Sequence, residues 1–438
     1  MFLTLPKMMA AALVAASLCA HAAPARSAEA SPDDTARFLA GLPVAADSPL
    51  APLTKDARWQ QHARYFDSIF GREDTNTLSK VRAFAKEHLT EKHDTLLYMF
   101  SGPDFLYATS FFPNASTYVL SGLEPAGDIP PLTSLSRPQV ERTLQNIETS
   151  LGSILNYSFF ITKNMKTQLN EGPVYGTLPV LFTFMTRTGK RIRDVSYVYL
   201  DEQGKVQAAD KKSPKYASAG AKGVKIVFTS GDSPSQTLYY FSTNVADDSI
   251  GRTGFLAFCA SLGPADAFVK SASYLLHSGG FSKVRNLLLE QSATILQDDS
   301  GIPLAYFDQR KWRLQPFGRY VGPLSIFANS YQAKMGELFR KATPIDFGLG
   351  YRFRRNESNL LLAEKIDQKA DAPALAPSLP NDNYPQATES PPRKKVRSAN
   401  GAAPSRRKQT ESDTTGSLGC GIPGVFSFCS VPEAKSGR

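Results

Sequence analysis

Between residues 95 and 155 the chain alternates two kinds of apolar segment. Residues 95–100 read as a strand, and Ser101-Gly102-Pro103-Asp104 ends it and opens a helix. Pro103 suits a first-turn position, and Asp104 lies in the favourable field of a helix N-terminus. Residues 105–112 are short and almost wholly apolar; Pro113-Asn114 breaks them, and residues 116–120 read as a second strand. Ser136-Arg137-Pro138-Gln139 then has the spacing of a capping box, followed by Val140, Leu144, Ile147, Leu151 and Leu155 on one helical face. Strand, helix, strand, helix in that order predicts an α/β layer.

The rest of the body extends this into a mixed α/β (α+β) fold. Trp59, Ala63, Phe66 and Ile69 or Phe70 define one helix, and Leu78, Val81, Ala85 and Leu89 a second, with residues 71–77 as the joint. Residues 181–186, 195–200, 224–229 and 237–242 read as strands with turns at Gly189, Gly204 and Gly231, which is antiparallel material. Pro264 is expected to open a helix carrying Phe268, Leu275 and Leu276 that stops at Gly279-Gly280. Ser282 caps another, residues 294–297, 305–307 and 312–314 are strand-like, residues 331–341 are helical, and residues 351–354 form a short strand. The expected architecture is a central sheet with parallel and antiparallel parts, flanked by helices.

Composition divides the chain. Residues 1–22 have the parts of a signal peptide: Lys7, an apolar stretch over residues 8–20, and Ala20-His21-Ala22 as the cut. The stretch is too short to span a bilayer, which takes roughly 20 apolar residues. Residues 23–53, rich in Ala, Pro, Ser and Asp, are expected to be a flexible leader. Residues 54–366 are the globular body, one large or two closely packed domains, long enough to bury a core without staples. From residue 367 large apolar residues vanish, so residues 367–415 are expected to be a disordered tail. Its basic residues are Arg393, Lys394, Lys395, Arg397, Arg406, Arg407 and Lys408, with no acid among residues 393–408. Residues 416–438 carry Cys420 and Cys429. In an oxidising compartment these should pair and display Val425, Phe426 and Phe428. Cys259 lies in the apolar run 255–262 and reads as a buried thiol.

The chain has 50 Lys and Arg against 40 Asp and Glu, a net charge of +10. Outside the cytoplasm such a chain, above all its tail, meets anionic envelope polymers or membrane surfaces. No specific nucleic-acid partner is expected, and no transmembrane segment remains once the signal is cut.

Few residues suggest chemistry. His62, His88, His93 and His277 are not spaced for a metal, and no cofactor motif is present, so neither metal nor cofactor is expected. Ser233 lies in a turn context and not in a nucleophile segment. His277-Ser278 could pair a base with a hydroxyl, but the following glycines suit a helix end. The candidate binding residues are Ser101, Gly102, Asp104 and Tyr107, at a strand end where α/β folds place ligands. Asp104 there favours a hydroxyl or cationic ligand over an anion. The competing reading is that Asp104 caps its own helix. Arg310, Trp312 and Tyr320 interleave cations with aromatic faces, which suits glycan or planar anionic ligands.

The segment 101–124, SGPDFLYATSFFPNASTYVLSGLE, resembles part of a family of uncharacterised secreted bacterial proteins. The resemblance implies a bacterial, exported origin and brings no activity with it. The sequence thus predicts an exported protein that binds a cell-envelope component. The alternatives are an envelope hydrolase using Asp104 with Ser101 or Tyr107, and a non-catalytic subunit docking through the Cys420–Cys429 loop.

Overall fold

Ten strands form one twisted layer whose centre is parallel and whose flanks are antiparallel. The computed structural model describes residues 29–90, 93–158 and 175–366. The export signal, the tail over residues 367–415, and Cys420 and Cys429 lie outside the described residues.

In chain order the principal elements begin with helices α1 (Pro32–Leu39), α2 (Ala57–Glu73) and α3 (Ser79–His88). Strand β1 (Thr95–Tyr98), helix α4 (Phe105–Phe111), strand β2 (Thr117–Gly122) and helices α5 (Arg137–Tyr157) and α6 (Leu178–Arg187) follow. Next come β3 (Lys190–Leu200), β4 (Val206–Ala208), β5 (Lys222–Ser230), β6 (Gln236–Ser242), α7 (Phe255–Ser261) and β7 (Ala265–Val269). Helix α8 (Ser282–Gln291), β8 (Ser292–Gln297), β9 (Trp312–Gly318), α9 (Ala333–Leu338) and β10 (Asn359–Lys365) complete the body.

The strand order is β4-β3-β5-β6-β2-β1-β7-β8-β10-β9. Neighbours from β6 through β2, β1 and β7 to β8 pair in parallel. The outer pairs, β4–β3, β3–β5, β5–β6, β8–β10 and β10–β9, are antiparallel. The central strands are buried on both faces, as parallel strands between helical layers must be. On β1, Leu96 and Tyr98 join a core built with α1 through α6, whereas Leu97 joins a second core with α7 and α8. The alternation follows from the two-residue period of a strand.

The expected mixed sheet flanked by helices is thus present, and the Ser136–Gln139 capping box forms, Ser136 N–H donating to Gln139 Oε1 at 2.8 Å. Several elements differ from expectation. The segment expected as a flexible leader is folded from residue 29 onward. Ser31 Oγ accepts from Asp34 N–H at 3.0 Å, and Phe38 and Leu39 are fully buried. Asp33 Oδ1 accepts from Ile192 N–H at 2.8 Å, so α1 covers part of the outer edge of β3. The expected joint at residues 71–77 is instead helical: α2 runs through a π-helical turn, Asp74–Leu78, into α3.

Residues 181–186 are helix rather than strand. Every residue from Leu178 to Thr186 is buried, so the run has no polar face to reveal its period. Pro179 sits in its first turn, and Thr183 and Thr186 return their hydroxyls to the carbonyls of Pro179 and Phe182. The converse error lies at Pro264, where the expected helix is strand β7, buried along its whole length between β1 and β8. In place of the strand expected at residues 305–307 there is a single 3-10 turn, Leu304–Tyr306, with Phe307 as its C-cap, and in place of the strand expected at residues 351–354 a turn bridged between Leu349 and Arg352.

Candidate functional site

The sheet has a switch point beside β1. From β1 the chain builds outward through β2 to β6 on one side, and then returns to lay β7 and β8 on the other. In open α/β sheets ligands bind in the crevice outside the carboxyl ends of strands where the order reverses. Here those ends carry Ser101 to Asp104 after β1, Lys270 to Tyr274 after β7, and Asp298 to Ser300 after β8.

The protein's own side chains fill that position. Asp104 Oδ1 accepts from Tyr107 N–H at 3.1 Å and caps α4, while Oδ2 accepts from Tyr98 O–H at 2.8 Å. Lys270 Nζ lies 2.7 Å from the same oxygen, with both side chains 2% exposed. The ammonium also donates to the Ser158 carbonyl and sits 4.0 Å from the Tyr107 ring centroid. Tyr107 O–H donates to Glu73 Oε1 at 3.1 Å. Burial raises both phenols well above the usual range, and the nearby Asp104 and Glu73 charges add to the rise. Burial also raises Glu73 to about 6.

The same region continues behind β8. Asp298 accepts from Ser271 N–H at 2.9 Å and from Ser300 N–H at 3.0 Å. Asp299 accepts from Tyr274 O–H at 2.6 Å and from the Asn359 amide at 3.2 Å. Burial, then the adjacent Asp299 charge, pushes Asp298 up to about 7. Space is scarce: a Cβ on Gly350 would stand 2.2 Å from Asp298 Oδ2.

The structure therefore brings Ser101, Gly102, Asp104 and Tyr107 together, but in a packed setting. Ser101 is 6% exposed, and its hydroxyl lies 2.8 Å from the Gly102 carbonyl, to which it donates. No imidazole bonds to it among the described residues. Asp104 does cap its helix, and its charge is matched by Lys270, a partner 166 positions away that sequence reading did not find.

Arg310, Trp312 and Tyr320 do not converge. Arg310 is exposed and forks onto Asp308 at 3.1 and 3.0 Å. Trp312 is buried, edge-on to Phe307 at 5.5 Å. Tyr320 is half-buried and stacks on Tyr331 at 5.8 Å, its hydroxyl accepting from Gln332 N–H at 3.0 Å. Among the described residues the shortest cation–aromatic distances are Arg285 to Tyr306, at 3.9 Å, and Lys270 to Tyr107 in the core, at 4.0 Å.

A cavity of about 280 Å³ opens among Arg58, Gln61, Tyr65, Gln145 and Glu148. Its charged groups are paired with one another. Arg58 forks onto Glu148 at 3.0 Å through both nitrogens, and His62 Nδ1 lies 2.7 Å from the same carboxylate. Burial alone would raise Glu148, but the bonds to His62 and Arg58 outweigh it and hold the group low.

Among the described residues no group of three or more His, Cys, Asp or Glu is placed to hold a metal, and no helix is long and apolar enough to cross a membrane. Cys259 is fully buried, and burial pushes its thiol up. No family model, no curated protein and no solved structure matches the chain.

Proposed function

We propose that this protein is exported and acts as a non-catalytic binder of a cell-envelope component, with its basic tail adding attachment to anionic surfaces. One observation carries the choice of binder over hydrolase. The crevice at the strand ends is occupied by the Asp104–Lys270 pair, and a carboxylate already bonded to an ammonium, a phenol and a backbone amide is a poor general base. Recognition then falls to surface groups. Tyr331 and Tyr306, 60% and 45% exposed, offer apolar ring faces with hydroxyl edges, a chemistry suited to sugars.

The test is retention of the purified full chain on isolated bacterial envelopes, alongside release of soluble products. Saturable retention with no product release is expected. Product release that Asp104→Asn abolishes in a folded variant would establish the hydrolase instead.

A further inference from the structure

The cavity between α2 and α5 is lined by one row of side chains from each helix. Arg58, Gln61 and Tyr65 stand three and four residues apart on α2, and Gln145 and Glu148 three apart on α5, so each set shares a helical face. The faces that packed helices turn to each other are normally apolar. Here the rows are polar, and the groove between them holds about 280 Å³. Gln61, Gln145 and Tyr65 are exposed, Tyr65 at 41%, so the groove is reached from solvent.

The charged pair in the groove is fixed in place. Glu148 accepts two hydrogen bonds from Arg58, both at 3.0 Å, and lies 2.7 Å from His62 Nδ1. His62 is fully buried, and its Nε2 lies 2.8 Å from the Leu39 carbonyl at the end of α1. Arg58 and Glu148 are themselves largely withdrawn from water. Charged groups in such a place are often matched in stability by apolar residues of similar size. Stability alone therefore gives no reason for polar rows at this contact.

A carboxylate has about four lone-pair sites, and Arg58 and His62 take three of those on Glu148. A guanidinium carries more N–H groups than the two that Arg58 spends on Glu148. An acceptor and several donors are thus held side by side. An anion in the groove would meet the Glu148 charge and a cation the Arg58 charge, whereas a hydroxyl both gives and takes a hydrogen bond. The amides of Gln61 and Gln145 also give and take, and the Tyr65 ring offers an apolar face. Pockets for drug-sized ligands begin at about 300 Å³, so about 280 Å³ suits a single ring. We propose that the α2–α5 groove binds one ring of an uncharged, hydroxyl-rich sugar, its hydroxyls shared between the two amides and the Arg58–Glu148 pair and its C–H face on Tyr65. This names a ligand class for the envelope-binding reading and rests on that reading only for the ligand's source.

The experiment is calorimetric titration of the purified full chain with glucose, N-acetylglucosamine, glucuronate and protonated glucosamine. At least one of the two uncharged sugars should bind, and more tightly than glucuronate or glucosamine. Gln61→Ala combined with Gln145→Ala should weaken that sugar tenfold or more, and Tyr65→Ala should weaken it severalfold. All three positions are exposed, so the melting temperature of these variants should stay at the wild-type value. No binding of either uncharged sugar, tighter binding of a charged one, or equal binding by the wild type and the doubly substituted chain would overturn the site. Because these titrations use no envelope material, sugar binding without envelope retention would leave the groove intact and sink only the broader reading. Envelope retention without sugar binding would sink the groove alone.

Discussion

Lys270 is held by the Asp104 carboxylate, the Ser158 carbonyl and the face of Tyr107, with almost no contact with water. Removing one member of such a buried pair leaves the other charge without compensation, which costs about 3–5 kcal/mol. Lys270→Met should therefore lower the unfolding free energy by about that amount, read from urea denaturation. Asp104→Asn in the same chain should recover much of the loss, because it removes the stranded charge and keeps an oxygen for the α4 cap. A single Lys270→Met variant as stable as the wild type would mean that the pair carries no such burden. The neighbouring carboxyls give a sign for pH. Asp298 is raised to about 7 in the folded chain, from an ordinary value of 3.8. Between those values the folded chain binds more protons than the unfolded one, so stability falls as pH rises across the window. Glu73, raised to about 6, acts in the same direction over a narrower interval. Glu148, held low, contributes stability that is present above its ordinary value and is lost only in acid. His277, lowered to about 4 by burial, acts in the opposite sense up to its ordinary value of 6.5. The melting temperature should accordingly decline from pH 6.5 to pH 8, and Asp298→Asn should flatten the decline. An unchanged slope in that variant would assign the effect elsewhere.

At the scale of elements, the legible parts of the sequence were those with an end signal as well as a period. Asp104 and Ser136 mark helix starts by the chemistry of their side chains, and α4 and α5 follow them. Helix α6 and strand β7 were exchanged for a physical reason. Both are short runs buried on every side, and sheet position decides between helix and strand where the pattern cannot. Helix α1 was obscured by Ala, Pro and Asp, although Ser31 caps it and Phe38 anchors it. The site was half legible. Ser101 to Tyr107 form one segment and could be read together, whereas Lys270 meets Asp104, and Arg285 meets Tyr306, only through the fold. If α1 is structural and not a leader, Phe38→Ala should behave as a core truncation. Phe38 is fully buried, and Trp59 Nε1–H donates to its carbonyl at 3.0 Å. The expected loss is about 3–5 kcal/mol, measured by chemical denaturation. A loss below about 0.5 kcal/mol, the range of surface substitutions, would return this segment to the status of a leader.

Over the whole molecule, charge and shape divide two kinds of attachment. The net charge is +10, and seven of the basic residues fall within residues 393–408 with no acid between them. A basic residue near an anionic surface contributes about 1 kcal/mol, and the attraction fades over a Debye length of about 8 Å at physiological salt. Attachment through the tail should therefore weaken steeply as salt rises. Recognition by the folded body through apolar and partly buried groups is screened far less. Retention on anionic envelope material, followed from low to high salt, separates the two. The full chain should release steeply, whereas a chain ending at Ile366 should bind less at low salt and show a shallow dependence. Replacing Arg393, Lys394, Lys395, Arg397, Arg406, Arg407 and Lys408 with glutamine should reproduce the shortened chain's profile, since the charge and not the chain length does the holding. Identical salt profiles for all three proteins would remove the tail from attachment.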